Sequence, residues 1–272
     1  MAREISKDMH LCISLAARPT NVGTRFHNFL YEALDLPYVY KAFAPHDIVD
    51  AVRGIRGLPI RGAAVSMPYK AAVIPLLDEL DATAADIGAV NTIVNTDNLL
   101  RGYNTDVIAV EQLLVEHEVR PDVPVALLGS GGMASACAAA LARVGFDKVT
   151  VVARNRVAGT ALADRHGWNW QEQAEPRFSL LLNATPVGMA GGNDSDRMPV
   201  EAAVVAHADV VFDVVASPPD TPLLRHAEAL GRRTISGASI MTLQAVEQFV
   251  LYTGIRPPDA LVERAAAHSR RV

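Results

Sequence analysis

A chain of 272 residues has room for one large domain or two ordinary ones, and 50% hydrophobic against 20% charged residues describes a core-forming protein, not a disordered or fibrous one. Its formal net charge of −5 offers no broad attraction for a phosphate backbone or an anionic bilayer, which argues against nucleic-acid and membrane partners. No apolar run reaches the ~18–20 residues of a membrane span, and the N-terminal stretch mixes charges into its start, so the chain is expected to be cytoplasmic.

In chain order, β-rich runs at 11–17, 38–43 and 62–66 alternate with amphipathic stretches at 25–36 and 48–55, the pattern of βαβ units. Residues 92–95 and 99–104 read as strands joined through turn residues 96–98, a hairpin that closes this region. A helix over 106–119 runs to a break at 120–124 and links two domains. Strand 125–128, loop 129–132, helix 133–145, strand 148–153 and helix 157–167 then form one complete βαβ unit. Strands at 179–185, 209–215 and 232–236, with helices between them, extend this to a mostly parallel sheet. The tail reads as helices 239–254 and 259–271, split at Pro257–Pro258. The expected fold class is α/β with two domains. Residues 1–105 form an α/β substrate domain, completed by the C-terminal helices of 238–272. Residues 106–237 hold the linker helix and a Rossmann-type, doubly wound dinucleotide-binding domain.

The segment Gly129-Ser130-Gly131-Gly132-Met133-Ala134 follows an apolar strand and opens a small-residue helix, the context a dinucleotide fingerprint requires. Gly129 makes the tight turn, Gly131 brings the backbone close to a pyrophosphate, and Ala134 permits close helix packing. The next strand ends Ala153-Arg154-Asn155-Arg156 with no carboxylate to hold a ribose 2′-hydroxyl. Arg154 instead offers a permanently charged donor array for a 2′-phosphate and Asn155 adds hydrogen bonds, so NADP is favoured over NAD.

A dehydrogenase that sends hydride to nicotinamide needs a group to accept and return a proton. No histidine cluster offers one, and no Cys or His lies at metal-ligand spacing, so no metal is expected. Three polar clusters lie at strand ends in the first domain: Ser66 to Lys70, Asn91-Thr92, and Asn104-Thr105-Asp106.

These blocks carry a resemblance. Met67-Pro68-Tyr69-Lys70, Ala89-Val90-Asn91-Thr92, Asn104-Thr105-Asp106, the glycine loop, Asn183-Ala184-Thr185 and the stretch from Gly237 to Gln244 follow the order found in the shikimate dehydrogenase family, over nearly the whole chain. The resemblance implies a two-domain fold with the active site in a cleft, and NADP-dependent reduction of 3-dehydroshikimate to shikimate. It implies Lys70 as acid/base and Asp106 as its partner, with Ser66, Asn91 and Gln244 on the substrate. It also implies Thr185, Val214 and Gly237 as cofactor contacts beside the loop. The family pattern has two serines ahead of His27 that bind the substrate carboxylate; here Asn21 and Gly23 stand in their places, and Ala64 replaces a common Asn. Ser14, Asn21 and Thr24 are therefore the candidates for a rebuilt anion site, as expected of a shikimate dehydrogenase-like branch. The partner expected is a small cyclic hydroxy acid, handled by a monomer or homodimer. Quinate or aminoshikimate dehydrogenation, and a non-catalytic NADP-sensing protein, are the alternative readings.

Overall fold

The computed structural model describes residues 5–270; residues 1–4 and 271–272, which fall in the N-terminal stretch read for a leader and at the end of the last predicted helix, lie outside it. The chain divides into two compact units. One holds the residues up to Thr105 and those from Thr242 onward, the other Asp106–Met241.

The first unit begins with β1 (His10–Leu15), α1 (Val22–Ala33), β2 (Tyr38–Phe43), α2 (Ile48–Gly57) and β3 (Gly62–Val65), in the alternation the sequence predicts. β4 (Glu79–Leu80) and α3 (Ala82–Ala85) follow, and then the hairpin β5 (Thr92–Thr96) and β6 (Leu99–Tyr103). The sheet order is β2-β1-β3-β5-β6-β4. β1 runs parallel to β2 and β3, but β5 is antiparallel to β3, so the sheet is mixed where βαβ units alone would make it parallel. The hairpin imposes this: β5 and β6 must oppose each other, and one of them joins β3.

Period-two alternation sorts the strand residues onto two faces. Cys12, Tyr40 and Val94 pack on one side with Phe26, Leu30 and Tyr31 of α1; Ile13, Ala63 and Ile93 pack on the other with Val52 and Ile55 of α2. The first face is also covered by Phe249, Tyr252, Ala265 and Ala266, which come from the chain's last two helices.

The second unit starts in α4 (Thr105–Glu116) and continues through β7 (Val125–Leu128), α5 (Gly132–Val144), β8 (Val149–Val152), α6 (Arg156–His166) and β9 (Asn169–Gln171). Then come β10 (Leu180–Asn183), α7 (Ala202–His207), β11 (Val210–Asp213), α8 (Pro222–Ala229) and β12 (Arg233–Ser236). Every strand pair is parallel and the order is β12-β11-β10-β7-β8-β9, the doubly wound arrangement. The four residues of each of β7, β8, β10 and β11 are all buried, as strands covered on both faces require. The strand order reverses between β7 and β10, and in such sheets ligands bind at the carboxyl ends beside that reversal. α9 (Gly237–Thr253) leaves this unit and ends in the first, and α10 (Asp259–Ser269) closes the chain against α1, where Phe29 meets the His268 ring at 5.2 Å.

One polar side chain lies deep in the first unit's aromatic face. His27 is fully buried, stacked on Tyr40 at 4.4 Å, and among the described residues neither ring nitrogen completes a hydrogen bond. Burial pushes its pKa from 6.5 down to about 3, opposed by the neighbouring Gln248 amide. The unfolded chain therefore takes up a proton below about 6.5 that the folded chain refuses until about 3. Stability is complete above that window and falls within it by up to roughly 1.4 kcal/mol per pH unit. His27→Phe, which keeps an aromatic ring in the stack, is expected to flatten this acid limb. Unfolding free energies measured between pH 7 and pH 4 test it, and an unchanged slope in the variant refutes it.

Candidate functional site

In the first unit the candidate residues gather where β3 ends and β5 begins. The Ser66 N–H donates to Leu15 O (2.9 Å) and the Tyr69 N–H donates to Ser66 O (2.9 Å), which turns the chain immediately after β3. Lys70, half-buried, accepts the Val90 N–H on its carbonyl at 2.8 Å, and the Asn91 carbonyl accepts the Val65 N–H at 2.8 Å. The lysine turn is thus stitched to the residue preceding Asn91.

Asn91 is 3% exposed and its Oδ1 is crowded. It accepts from Thr92 Oγ1 (2.8 Å), the Thr105 N–H (2.9 Å) and Thr105 Oγ1 (3.2 Å). Its Nδ2 finds no acceptor among the described residues. Thr105 Oγ1 also lies 3.5 Å from Gln244 Oε1. One helical turn on, Gln248 Nε2 donates to Thr92 Oγ1 (3.1 Å) and Asn91 O (3.3 Å). The sequence singled out Asn91 and Gln244; Gln248 was missed, and its i+4 spacing from Gln244 was the signal.

The altered N-terminal segment lies at the start of α1. Asn21 is exposed at the N-cap position without a side-chain cap bond, and Thr24 buries an Oγ1 that has no hydrogen-bond partner among the described residues. Ser14, in β1, is hydrogen bonded with the Tyr40 hydroxyl. At Gly23 a Cβ would meet nothing nearer than the Tyr40 ring and hydroxyl at 3.7 Å, so a side chain has room there.

In the second unit Gly129 follows β7 with φ +107°, and a Cβ there would stand 3.1 Å from Ala184 O and 3.2 Å from the Thr185 methyl. Gly131 caps α5, Gly132 starts it, and both have open space within 4 Å, so this helix start presents its N–H groups without obstruction. Ser130 and Met133 flank them, half-buried, and Ala134 is fully buried, as close packing behind the loop needs. Beyond β8, Arg154 is exposed and forms no ion pair among the described residues. Asn155 commits its oxygen to capping α6 through the Ala158 N–H (3.1 Å), which leaves its Nδ2 for other contacts. Arg156 lies over the Trp170 ring at 5.7 Å.

Thr185 donates its N–H (3.0 Å) and Oγ1 (2.7 Å) to Asn183 Oδ1. Val214 donates to Asn183 O (3.0 Å) and its carbonyl lies against Gly237, where a Cβ would come within 2.3 Å of that backbone. Asp106, in the first turn of α4, lies near Cys137 and, after burial, helps to push that thiol upward. Both cysteines are buried and free.

Residues 22–93 match the shikimate dehydrogenase substrate binding domain family. A shikimate dehydrogenase-like protein of Haemophilus influenzae is 47% identical, over 98% of this chain and 98% of its own. The chain belongs to the shikimate dehydrogenase family. A shikimate dehydrogenase (NADP(+)) of Chlorobaculum tepidum is 38% identical over 88% of each chain. A solved shikimate 5-dehydrogenase of Thermus thermophilus, in complex with NADP(H) and shikimate, superposes with a TM-score of 0.83 at 28% identity, covering 96% of this chain and 99% of that one.

Against the family, the two glycines of the second unit separate folding from binding. Gly237→Ala would drive a Cβ into the Val214 backbone, and it is expected to cost about 1–3 kcal/mol of stability in urea unfolding. Gly132→Ala meets no atom within 4 Å and is expected to leave the unfolding midpoint unchanged or raised, while weakening dinucleotide binding. Equal midpoints for the two variants would contradict the packing described.

Proposed function

We propose that the protein is an NADP-dependent oxidoreductase that interconverts 3-dehydroshikimate and shikimate or a closely related cyclic hydroxy acid, working in the cytoplasm. The observation that carries this reading is the Asn91 amide: a buried side chain whose oxygen is filled by three donors, whose Nδ2 has no acceptor among the described residues, and whose preceding residue, Val90, is bonded to the Lys70 carbonyl. A buried donor of this kind costs about 1–3 kcal/mol unless a ligand oxygen completes it, and a ring hydroxyl is such an oxygen.

The second unit's residues fit the cofactor. Gly129 permits the close approach, Gly131 to Met133 offer the start of α5 to a pyrophosphate, and Arg154 supplies a guanidinium for a 2′-phosphate at a strand end that carries no carboxylate. Thr185, Val214 and Gly237 are assigned to the nicotinamide side. The named cofactor of the Chlorobaculum tepidum relative and the NADP(H) in the Thermus thermophilus complex support this assignment.

When bound, NADPH supplies the hydride for the ketone carbon. Lys70 donates a proton from Nζ to the ketone oxygen, and in the reverse direction takes it back from the hydroxyl. Asp106 is assigned as the acidic partner of Lys70 and as a contact to the substrate hydroxyls. Ser66, Asn91 and Gln244 orient the ring hydroxyls. Ser14, Asn21 and Thr24 are assigned to the substrate's acidic group, and the orphaned Thr24 hydroxyl supports that role.

Lys70→Ala is expected to abolish most NADP reduction with shikimate, quinate or amino-substituted analogues while leaving NADPH binding within about twofold; turnover equal to the wild type would remove Lys70 from the chemistry. A second measurement addresses specificity. Since Gly23 has room for a side chain, Asn21→Ser combined with Gly23→Ser is expected to lower KM for shikimate by about tenfold. No change in KM would mean that this segment does not hold the acidic group.

A further inference from the structure

We propose that Asp213 is a positioning residue of the dinucleotide site: its carboxylate fixes Asn183 and Thr185 against the Gly129 turn on one side and Val214 against Gly237 on the other. This inference rests on the cofactor reading given above and adds to it a residue that touches no ligand.

Asp213 is fully buried at the carboxyl end of β11, in a strand whose other three residues are apolar and buried, and it forms no ion pair among the described residues. Burial raises its pKa, and three hydrogen bonds oppose the shift. An unpaired buried carboxylate is a costly choice where any aliphatic residue would complete the strand, so what it orders must offset that cost.

The bonds show what is ordered. Asp213 Oδ1 accepts from Asn183 Nδ2 (2.9 Å) and from the Val215 N–H (3.1 Å), and Oδ2 accepts from Thr221 Oγ1 (2.6 Å). A carboxylate only accepts, so the Asn183 amide has one orientation open to it, with Oδ1 turned to the loop beyond β10. That oxygen takes both donors of Thr185, N–H at 3.0 Å and Oγ1 at 2.7 Å, and Thr185 Oγ1 then accepts the Val187 N–H at 3.3 Å. Thr185 is thereby held with its methyl 3.2 Å from the position of a Cβ on Gly129, beside Ala184 O at 3.1 Å.

The same carboxylate works in the other direction. By holding the Val215 N–H it fixes the chain directly after β11, while the Val214 N–H is held by Asn183 O at 3.0 Å. The Val214 carbonyl is left packed against Gly237. Thr221, bonded to Oδ2, accepts the Leu224 N–H (3.3 Å) and caps α8, which anchors the far end of the 213–221 loop. Strand register brings these parts together, because Asp213 pairs with Asn183, and Asn183 with Leu128, the residue before Gly129.

The test uses the full chain and four variants: Asp213→Asn, Thr185→Val, Thr185→Ser and the Asp213→Asn/Thr185→Val double. NADPH dissociation constants are read from its fluorescence, KM values for NADP and hydroxy acid from steady-state rates, and folding from melts without ligand. Asp213→Asn keeps the shape but lets the Asn183 amide turn over, and it is expected to raise the NADPH Kd and NADP KM about tenfold with the hydroxy-acid KM unchanged. Thr185→Val is expected to move the same constants in the same direction, and Thr185→Ser, which keeps both donors to Asn183 Oδ1, to recover most of that loss. The double variant should bind no worse than Asp213→Asn alone, because both changes cut one chain of bonds. Wild-type NADPH affinity in Asp213→Asn and Thr185→Val, or effects that add in full, would overturn the inference while leaving the cofactor reading intact. A wild-type protein that binds no NADPH would overturn both. Should Asp213→Asn fail to fold, Thr221→Val, which removes the donor to Oδ2 and no residue assigned to the cofactor, is expected to raise the NADPH Kd in the same direction, and wild-type affinity in it would overturn the inference.

Discussion

Three hydrogen bonds converge on the Asn91 oxygen, and the order of the first unit's polar end follows from that crowding. Thr92 begins β5 and Thr105 follows β6, so both stand at the open end of the hairpin, where they approach the same atom. The amide is left with one possible role for its other half, that of donor. Because the Val90 N–H is bonded to the Lys70 carbonyl, the lysine turn is indexed to the same asparagine through a single peptide unit. A hairpin register thus fixes the placement of a donor and of the lysine's backbone together, which loops alone would do poorly.

The second unit reaches a comparable precision by other means. Its parallel strands end level with one another, so side chains at the last positions of β10 and β11 meet directly. Asn183 and Asp213 use that adjacency, one supplying the donor that the other's charge demands. The apolar interiors of both strands give them no freedom to slide, since a one-residue slip would bury the acid among leucines and valines. Polar pairing at the strand ends and apolar packing along the strands therefore specify the same register.

Much of this architecture is legible in the residues. Alternating short apolar runs and helical stretches from 125 onward led to a doubly wound sheet, and Gly129 to Ala134 stood out because a strand precedes them and a helix follows. The mixed character of the first sheet was not legible: β4 has two residues, too few for any period, and the β3–β5 pairing is settled by a hairpin thirty residues away from β3. Asp213 was passed over for a physical reason. Within the run 209–215 it reads as one polar residue in a strand, and its partners lie 30 residues upstream and 8 downstream. Asn155 was read as a cofactor contact from its place after Arg154, whereas its oxygen has the more local task of starting α6. Side chains that serve the backbone near them and side chains that serve a ligand look alike until their hydrogen bonds are seen.

α9 draws several of these threads into one element. Within the first unit Gln244 and Gln248 stand one turn apart on it, and Phe249 and Tyr252 bury themselves in that unit's aromatic face. A helix fixes such spacings rigidly, at 1.5 Å per residue. Its far end is tied down by Arg61, which donates to Tyr252 O (2.9 Å), Leu251 O (3.4 Å) and Asn95 O (2.6 Å). The guanidinium satisfies carbonyls that the helix leaves open and opposes the negative end of its dipole, while joining it to the strands on either side. Arg61, far along the chain from Gln248, thus bonds the end of the same helix that brings that glutamine to Asn91 and Thr92.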